Sequence, residues 1–195
     1  WEMGEREAAL RLVHDVLQAA PGYVDAHRSL GRFFTILMKY EEAIPHLLLV
    51  IEARFLDEEA NLYLARCYVQ GRQHELALEH LGRCLQANHR NPVPRMEAAA
   101  VLRKLGQTEM ANQQLLEVLD IDEENEIALN TLIQVVSKLS SKKAESELAR
   151  LVTLKPKLGA ILWERFANLQ SAKGKSDVAT RALKKALEFA KSIGD

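Results

Sequence analysis

The sequence has little cysteine, glycine, proline or aromatic residue. Its 195 residues include two cysteines, nine glycines and five prolines, and 6% of them are aromatic. Two cysteines are too few to hold a chain of this length together through disulfides, so we expect Cys67 and Cys84 to be buried apolar residues. Hydrophobic residues make up 48% of the chain, which excludes disorder as its dominant state and is sufficient for a core.

The sequence also lacks an excess charge and a long apolar run. With 26 basic and 27 acidic residues the net charge is −1, so no overall field attracts nucleic acid or an anionic membrane. The most apolar stretch, Ile44 to Ile51, is far shorter than a membrane span, and no signal peptide is recognisable. The sequence does not establish the compartment, and a cytoplasmic location is favoured. Because the chain begins at Trp1, inside a structural unit, we interpret it as a fragment of a longer protein.

Motifs for catalysis and cofactor binding are missing as well. No dinucleotide or P-loop motif, H-E-x-x-H, C-x-x-C or G-x-S-x-G occurs, so the sequence predicts neither an enzyme nor a cofactor. His80 and Cys84 have a spacing that suits two metal ligands, but no third ligand accompanies them, and we expect His80 to lie nearer to solvent. The acidic run from Asp120 to Glu126 is interpreted as a solvated junction that places negative charge at a helix N-terminus.

A period of about 34 residues runs through the sequence in two registers. An alanine recurs at steps of 34, 34, 34, 33 and 35, and an apolar residue follows each alanine four positions later. Repetition at a fixed period indicates a repeat architecture. The recurring alanines are Ala9, Ala43, Ala77, Ala111, Ala144 and Ala179. The pairs in the other register are Leu30-Gly31, Leu64-Ala65, Ala98-Ala99, Leu132-Ile133 and Phe166-Ala167.

Each period has the pattern of two amphipathic helices. Apolar residues recur at steps of three and four, and no segment alternates with a period of two, so the sequence predicts an all-α fold. Gly71, Gly106 and Gly174 are expected to end first helices, while Pro21 and Pro156 end second helices. The predicted helices lie near 5–19, 24–38, 41–54, 58–70, 74–87, 92–105, 108–120, 126–139, 142–153, 160–173 and 176–191.

Small residues in both registers allow the two helices of a pair to approach closely. The alanines have no side chain beyond Cβ, and Gly31, Ala65, Ala99 and Ala167 provide the matching space on the first helix. A single helix pair does not bury its own apolar face. We therefore expect each pair to stack on its neighbours.

This pattern resembles the tetratricopeptide repeat (TPR), a 34-residue unit with the motif W-x2-L-G-x2-Y followed by an alanine. The last unit matches it at Trp163, Phe166 and Ala167, and the first complete unit matches it at Leu30 and Gly31. The resemblance implies a right-handed α-solenoid of antiparallel helix pairs, a TPR superhelix.

The resemblance also implies a division of the chain into repeats. Residues 1–195 would form a single solenoid domain, in which residues 4–22 are the second helix of a truncated repeat. Five complete units would follow, at 24–57, 58–91, 92–125, 126–158 and 160–193.

In TPR proteins the first helices line the concave face, which generally holds partner peptides. Solvent-facing positions of the first helices are therefore the candidate binding groove. Arginine binds carboxylates through paired hydrogen bonds, and side-chain amides pair with the backbone of an extended peptide, although arginine is also common on solvated helix faces. The candidate groove residues are Arg28, Arg32, Leu62, Arg66, Met96, Arg103, Asn130, Gln134 and Asn168.

These observations favour a non-catalytic interaction module or scaffold that binds a protein or peptide, with acidic residues in the partner. The alternative is a regulatory or substrate-recruiting arm of a larger enzyme whose catalytic domain lies elsewhere. RNA binding is weaker, because no base-reading pair repeats at fixed positions, and we expect neither nucleic-acid binding nor membrane insertion. Self-association through open solenoid ends is also predicted, favoured by the orphan helix around Leu10 and Leu12. The lysine-rich last helix is consistent with a solvated end, although its flank keeps Leu187 and Ile193.

Overall fold

The computed structural model describes the backbone of residues 3–193 and the side chains of residue 8 and residues 10–192. Within that range the chain forms eleven α-helices, one short 3-10 helix at Pro156–Leu158 and no strand, which confirms the all-α prediction. The side chains of Ala9 and Ile193, both named above, lie outside the described residues. The helices are α1 Met3–Ala19, α2 Val24–Ile36, α3 Tyr40–Ala53, α4 Glu58–Gln70, α5 His74–Ala87, α6 Pro92–Lys104, α7 Thr108–Ile121, α8 Glu126–Val136, α9 Ser141–Leu154, α10 Gly159–Ala172 and α11 Ser176–Ile193.

The helices group into two compact units, Trp1–Ala111 and Asn112–Asp195. In the first unit α2 packs on α3 and α4 on α5, while α3 contacts α4 and α5 contacts α6. In the second unit α10 packs on α11, α8 contacts α9, and α8 also contacts α10. Consecutive helices joined by short turns therefore form pairs, and pairs within a unit stack, as expected for a solenoid. The predicted repeat boundaries remain predictions.

The starts of three first helices are fixed by capping side chains at the repeat period. Asp57, Asn91 and Asn125 precede α4, α6 and α8, and each side chain accepts a hydrogen bond from a backbone N–H of the first turn. Those N–H groups have no partner inside the helix, so the cap stabilises its start. Tyr23, the corresponding residue before α2, makes no such bond.

Close approach within a pair depends on residues that have little or no side chain. Ala43, Ala77 and Ala111 have no exposed surface. At Gly31 a Cβ atom would lie 2.4 Å from the side chain of Leu47, which is itself fully buried. Glycine is therefore required where α2 meets α3, and the small residues predicted from the repeat do lie in the helix contacts.

Four of the five turns from first to second helix use a residue with positive φ at the same repeat position; the exception is the turn before α9, where Ser140 has a φ of −60°. Gly106 and Gly174 have a φ of 74°, whereas Met38 and Arg72 have φ values of 60° and 58°. Gly71 ends α4 as expected, but the left-handed residue is the one after it. Only glycine adopts this conformation without a steric penalty of about 1–2 kcal/mol.

Both cysteines are buried in the first unit and neither forms a disulfide. The Cys84 thiol donates to the carbonyl of Glu58 at 3.3 Å, and burial, followed by the nearby charge of Glu58, raises its pKa to about 12. Burial likewise raises the pKa of Cys67. A thiol held protonated is a poor nucleophile, so neither residue suits catalysis.

Replacing Arg72 by glycine should stabilise the protein by about 0.5–1 kcal/mol. The steric penalty of the left-handed conformation is removed, and the greater freedom of glycine in the unfolded chain offsets part of that gain. Urea unfolding measures the change. Gly106→Arg is the matched control and should destabilise by about 1 kcal/mol; equal effects of both variants would contradict the assigned turn.

Cys67 and Cys84 should resist a thiol reagent such as Ellman's reagent in the folded protein at pH 8. Because burial keeps both thiols protonated and covered, labelling should follow the rate of local unfolding and become fast in denaturant. A stoichiometric reaction within seconds under native conditions would show that a cysteine is accessible.

Candidate binding surface

The first helices of the first unit bring six of the predicted groove residues onto α2, α4 and α6. Arg32 is exposed, whereas Arg28, Leu62, Arg66, Met96 and Arg103 are half-buried. Because α2 contacts α4, the predicted residues of these two helices are neighbours.

The two arginines of α2 are paired with acidic residues of the chain itself. The Nη2 atom of Arg28 lies 2.7 Å from a carboxylate oxygen of Asp57 and 3.0 Å from one of Asp25, so Arg28 forms an ion pair with each. Arg32 lies 3.5 Å from Glu59, an acidic residue in the first turn of α4. Both arginines therefore reach the beginning of the next first helix, where negative charge is also favoured by the helix dipole.

Arg66 of α4 repeats this arrangement toward α6. Its Nε and Nη2 groups donate to one carboxylate oxygen of Glu97 at 2.9 and 2.6 Å, and its guanidinium lies 5.3 Å from the ring centre of Tyr63. Three of the four predicted arginines are thus neutralised by neighbouring first helices. Arg103, in the last turn of α6, has no ion-pair partner among the described residues, and the same holds for Lys104 beside it.

A small notch separates α4 from α6 on this face. Its volume is about 130 Å³, and its lining residues are Arg66, Val69, Gln70, Glu97, Ala100, Val101 and Lys104. Ala100 is exposed. The corresponding position in the other repeats holds Arg32, Arg66, Gln134 and Asn168. At this position Ala100 contributes no side chain beyond Cβ to the notch.

The two predicted apolar anchors, Leu62 and Met96, are not among the residues that line this notch. Leu62 packs against the buried cluster that includes Ala65, Ala77 and Leu81, so much of its side chain belongs to the core. Met96 is half-buried on α6.

The second unit contains the three predicted amide residues. Asn130 and Gln134 lie on α8 and Asn168 lies on α10, and all three are exposed. Asn130 accepts a hydrogen bond from Arg165 at 3.1 Å, and Arg165 also donates to both carboxylate oxygens of Glu126 at 2.8 and 2.5 Å. The hydrogen bond from Arg165 holds the pKa of Glu126 below its ordinary value.

His80 is buried, so the expectation that it lies nearer to solvent is wrong. Its Nδ1–H donates to the Asn61 side-chain oxygen at 2.8 Å, its ring stacks on Tyr68, and burial lowers its pKa. Asn61 provides the polar partner that a buried imidazole requires. Among the described residues no three metal-ligating side chains converge.

The sequence analysis missed a hydrogen bond that recurs at the turn before three first helices. His27 donates to the carbonyl of Pro21 at 2.8 Å, and Asn61 donates to the carbonyl of Phe55 at 2.9 Å. Arg95 donates to the carbonyl of His89 at 2.8 Å. Donors and acceptors both recur at 34 residues, so a search for polar residues in the repeat would have found them. The donor links the turn to the helix that follows.

Leu12 of α1 and Leu187 of α11 are both exposed, with 66% and 57% of their surfaces accessible. Self-association through these helices remains a prediction. No helix in the described part of the chain has the length and apolar composition of a membrane span.

No family model matches the chain, and no curated protein matches it in sequence. Solved structures do match. A crystal structure of MamA has a TM-score of 0.59 and 17% identity, with 98% of this chain and 92% of that chain covered. YrrB, described as a TPR protein with an unusual peptide-binding site, has a TM-score of 0.60 and 16% identity, with 91% of each chain covered.

A third match is the Cut9-Hcn1 hetero-tetramer of the APC/C, with a TM-score of 0.63 and 18% identity. It covers 97% of this chain and 38% of that chain. At these identities the likeness establishes the fold. Taken with the 34-residue register and the helix pairs, it shows that this chain has the tetratricopeptide-repeat fold.

Proposed function

We propose that this chain is a non-catalytic interaction module that holds a segment of a partner protein on the first-helix face of α4 and α6. The observation that carries this proposal is the notch at Ala100, an open apolar depression in a row of long polar side chains. A depression of this kind is able to receive a side chain of a partner.

The shape of the notch favours a short aliphatic side chain. Val69, Ala100 and Val101 provide apolar walls. Its volume of about 130 Å³ corresponds to roughly four water molecules at about 30 Å³ each. An aliphatic group that displaces this water buries apolar surface on both partners.

The charges around the notch favour a carboxylate next to that side chain. Arg66 and Glu97 satisfy each other at one end, while Lys104 lines the notch without an ion-pair partner among the described residues. Arg103 adds a second positive charge in the same turn of α6. The partner we propose is therefore acidic near α6 only, because the arginines of α2 already have carboxylate partners.

The solved structures with this fold support an interaction role. YrrB is described as having a peptide-binding site, and Cut9 occurs in a complex with Hcn1. These are properties of those proteins, and we extend to this chain only the general role of holding another polypeptide.

A panel of four peptides tests this proposal directly. The peptides are Ser-Gly-Xaa-Gly-Zaa-Gly-Ser, with Val or Ser at the third position and Glu or Lys at the fifth. Residues two apart lie on the same side of an extended chain. NMR titration of the Val69 and Val101 methyl groups should show the tightest binding for the peptide with Val and Glu. Replacing its Glu by Lys should weaken binding by about two- to fivefold, and replacing its Val by Ser should weaken binding by about tenfold.

Two substitutions and one control assign any binding to the notch. Ala100→Gln copies Gln134 and fills the depression, so it should remove the preference for Val. Lys104→Glu should reverse the preference to the Lys peptides. Ala87→Gln, at an exposed alanine that ends α5, is the control and should change neither. Binding that is unchanged by both Ala100→Gln and Lys104→Glu, or that shifts no methyl group in the notch, would contradict the proposed site.

A further inference from the structure

Two histidines contact each other at the turn between α1 and α2. His27 Nδ1 lies 2.8 Å from His46 Nδ1, and His27 Nε2 lies 2.8 Å from the carbonyl oxygen of Pro21. The two rings stack with centroids 5.1 Å apart, and the ring of Phe34 also stacks on the ring of His46, with centroids 5.8 Å apart. His27 is buried, with 8% of its surface exposed. The pair therefore links the turn, α2 and α3.

Counting hydrogens fixes the tautomer of each ring when both rings are neutral. A carbonyl oxygen accepts only, so His27 Nε2 carries a hydrogen and donates it to Pro21. A neutral imidazole has one N–H, so His27 Nδ1 is an acceptor and His46 Nδ1 is the donor. If both Nδ1 atoms carried a hydrogen, two N–H groups would face each other at 2.8 Å. The contact therefore accommodates one proton and excludes a second.

The next repeat makes the same link with an asparagine, which does not titrate, in place of the first histidine. At the positions of His27 and His46 it has Asn61 and His80, whose side chains bond at 2.8 Å. Asn61 donates to the carbonyl of Phe55 as His27 donates to that of Pro21. An amide oxygen accepts from His80 Nδ1–H whether the imidazole is neutral or charged. The hydrogen bond of the second link therefore persists when His80 is charged, although burial and then the charge of Arg83, 3.5 Å from His80 Nδ1, lower the pKa of His80 as well.

The surroundings of the histidine pair include charges from α1 and α3. Arg11, His14 and Asp15 of α1 line a cleft of about 670 Å³ together with His46. Glu52 of α3 lines a smaller depression with His27. In general a nearby carboxylate favours a charged imidazole and a nearby positive charge opposes it.

His46 is disfavoured as a cation by its position. Burial, followed by the charge of His27, lowers the pKa of His46 from its ordinary value of about 6.5. A histidine whose pKa is lowered in the folded state contributes its full stability at pH values above the ordinary pKa. That contribution is lost as the pH falls from the ordinary pKa through the lowered one. The direction agrees with the hydrogen count.

We propose that His27 and His46 form an acid-sensitive latch that holds the start of α2 against α3 at neutral pH and releases it when both rings are protonated. His46 lines an open cleft together with Leu10 and Leu17 of α1 and Leu30 and Phe34 of α2. Release moves one wall of this cleft, so acid alters the surface at this end of the first unit.

Native-state hydrogen exchange at pH 7.5, 6.5, 5.5 and 5.0 tests the latch in the intact chain. Protection factors near residues 20–27 should fall with pH by up to about tenfold per pH unit for each proton taken up on opening. The corresponding amides at 54–61, beside the Asn61–His80 link, are the internal control. Their protection should fall less steeply over the same range.

The repeat itself supplies the matched variants. His27→Asn copies Asn61 and should keep the turn closed while reducing the pH slope at residues 20–27 by at least half on a logarithmic scale. His46→Gln copies Gln114, the residue at the same position one repeat beyond His80, and should reduce the slope further. Equal slopes in the wild-type chain and both variants would overturn the latch.

Nitrogen-15 chemical shifts of the wild-type imidazoles give a test that needs no variant. At pH 7.5 they should report a hydrogen on His27 Nε2 and on His46 Nδ1. A chain that is fully protected at residues 20–27 at pH 5.0, with hydrogens on both Nδ1 atoms, would also overturn the proposal.

Discussion

The structure depends on close contact between two helices at positions where a side chain is nearly absent. Ala43, Ala77 and Ala111 are completely buried, and Gly31 leaves the space that Leu47 fills. Interiors are packed at the density of organic crystals, so a larger residue at such a contact would separate the pair. Within each unit the pairs stack, and first helices are in contact, α2 with α4 in the first unit and α8 with α10 in the second. The small residues thus determine the fold and, through it, which side chains are available to a partner.

Charge on the first helices of the first unit is largely satisfied between neighbouring repeats. Arg28, Arg32 and Arg66 each reach a carboxylate of the next first helix or its cap. Pairs this exposed contribute little stability individually, typically about 0–1 kcal/mol. Their larger effect concerns recognition, because an acidic partner would have to displace an existing carboxylate. The positive charge without such a partner lies on α6, at Arg103 and Lys104.

The helices were predictable from the sequence because apolar residues recur at helical spacing in every repeat, and their ends were within a few residues of the structure. The caps at Asp57, Asn91 and Asn125 follow the same 34-residue register. The ion pairs did not follow it, because their partners lie at different separations, 27 residues for Arg32 and 31 for Arg66. The burial of His80 was missed because it depends on a polar partner, Asn61, which lies on another helix.

Site-specific photo-crosslinking most directly tests whether the first-helix face is the working surface. A diazirine amino acid at Gln70, which lines the notch, is compared with one at Gln86, an exposed residue of α5, in cells that make the protein. The account predicts that one partner protein is crosslinked from position 70 and is absent from position 86. Crosslinks from position 86 alone, or the same products in equal yield from both positions, would contradict it.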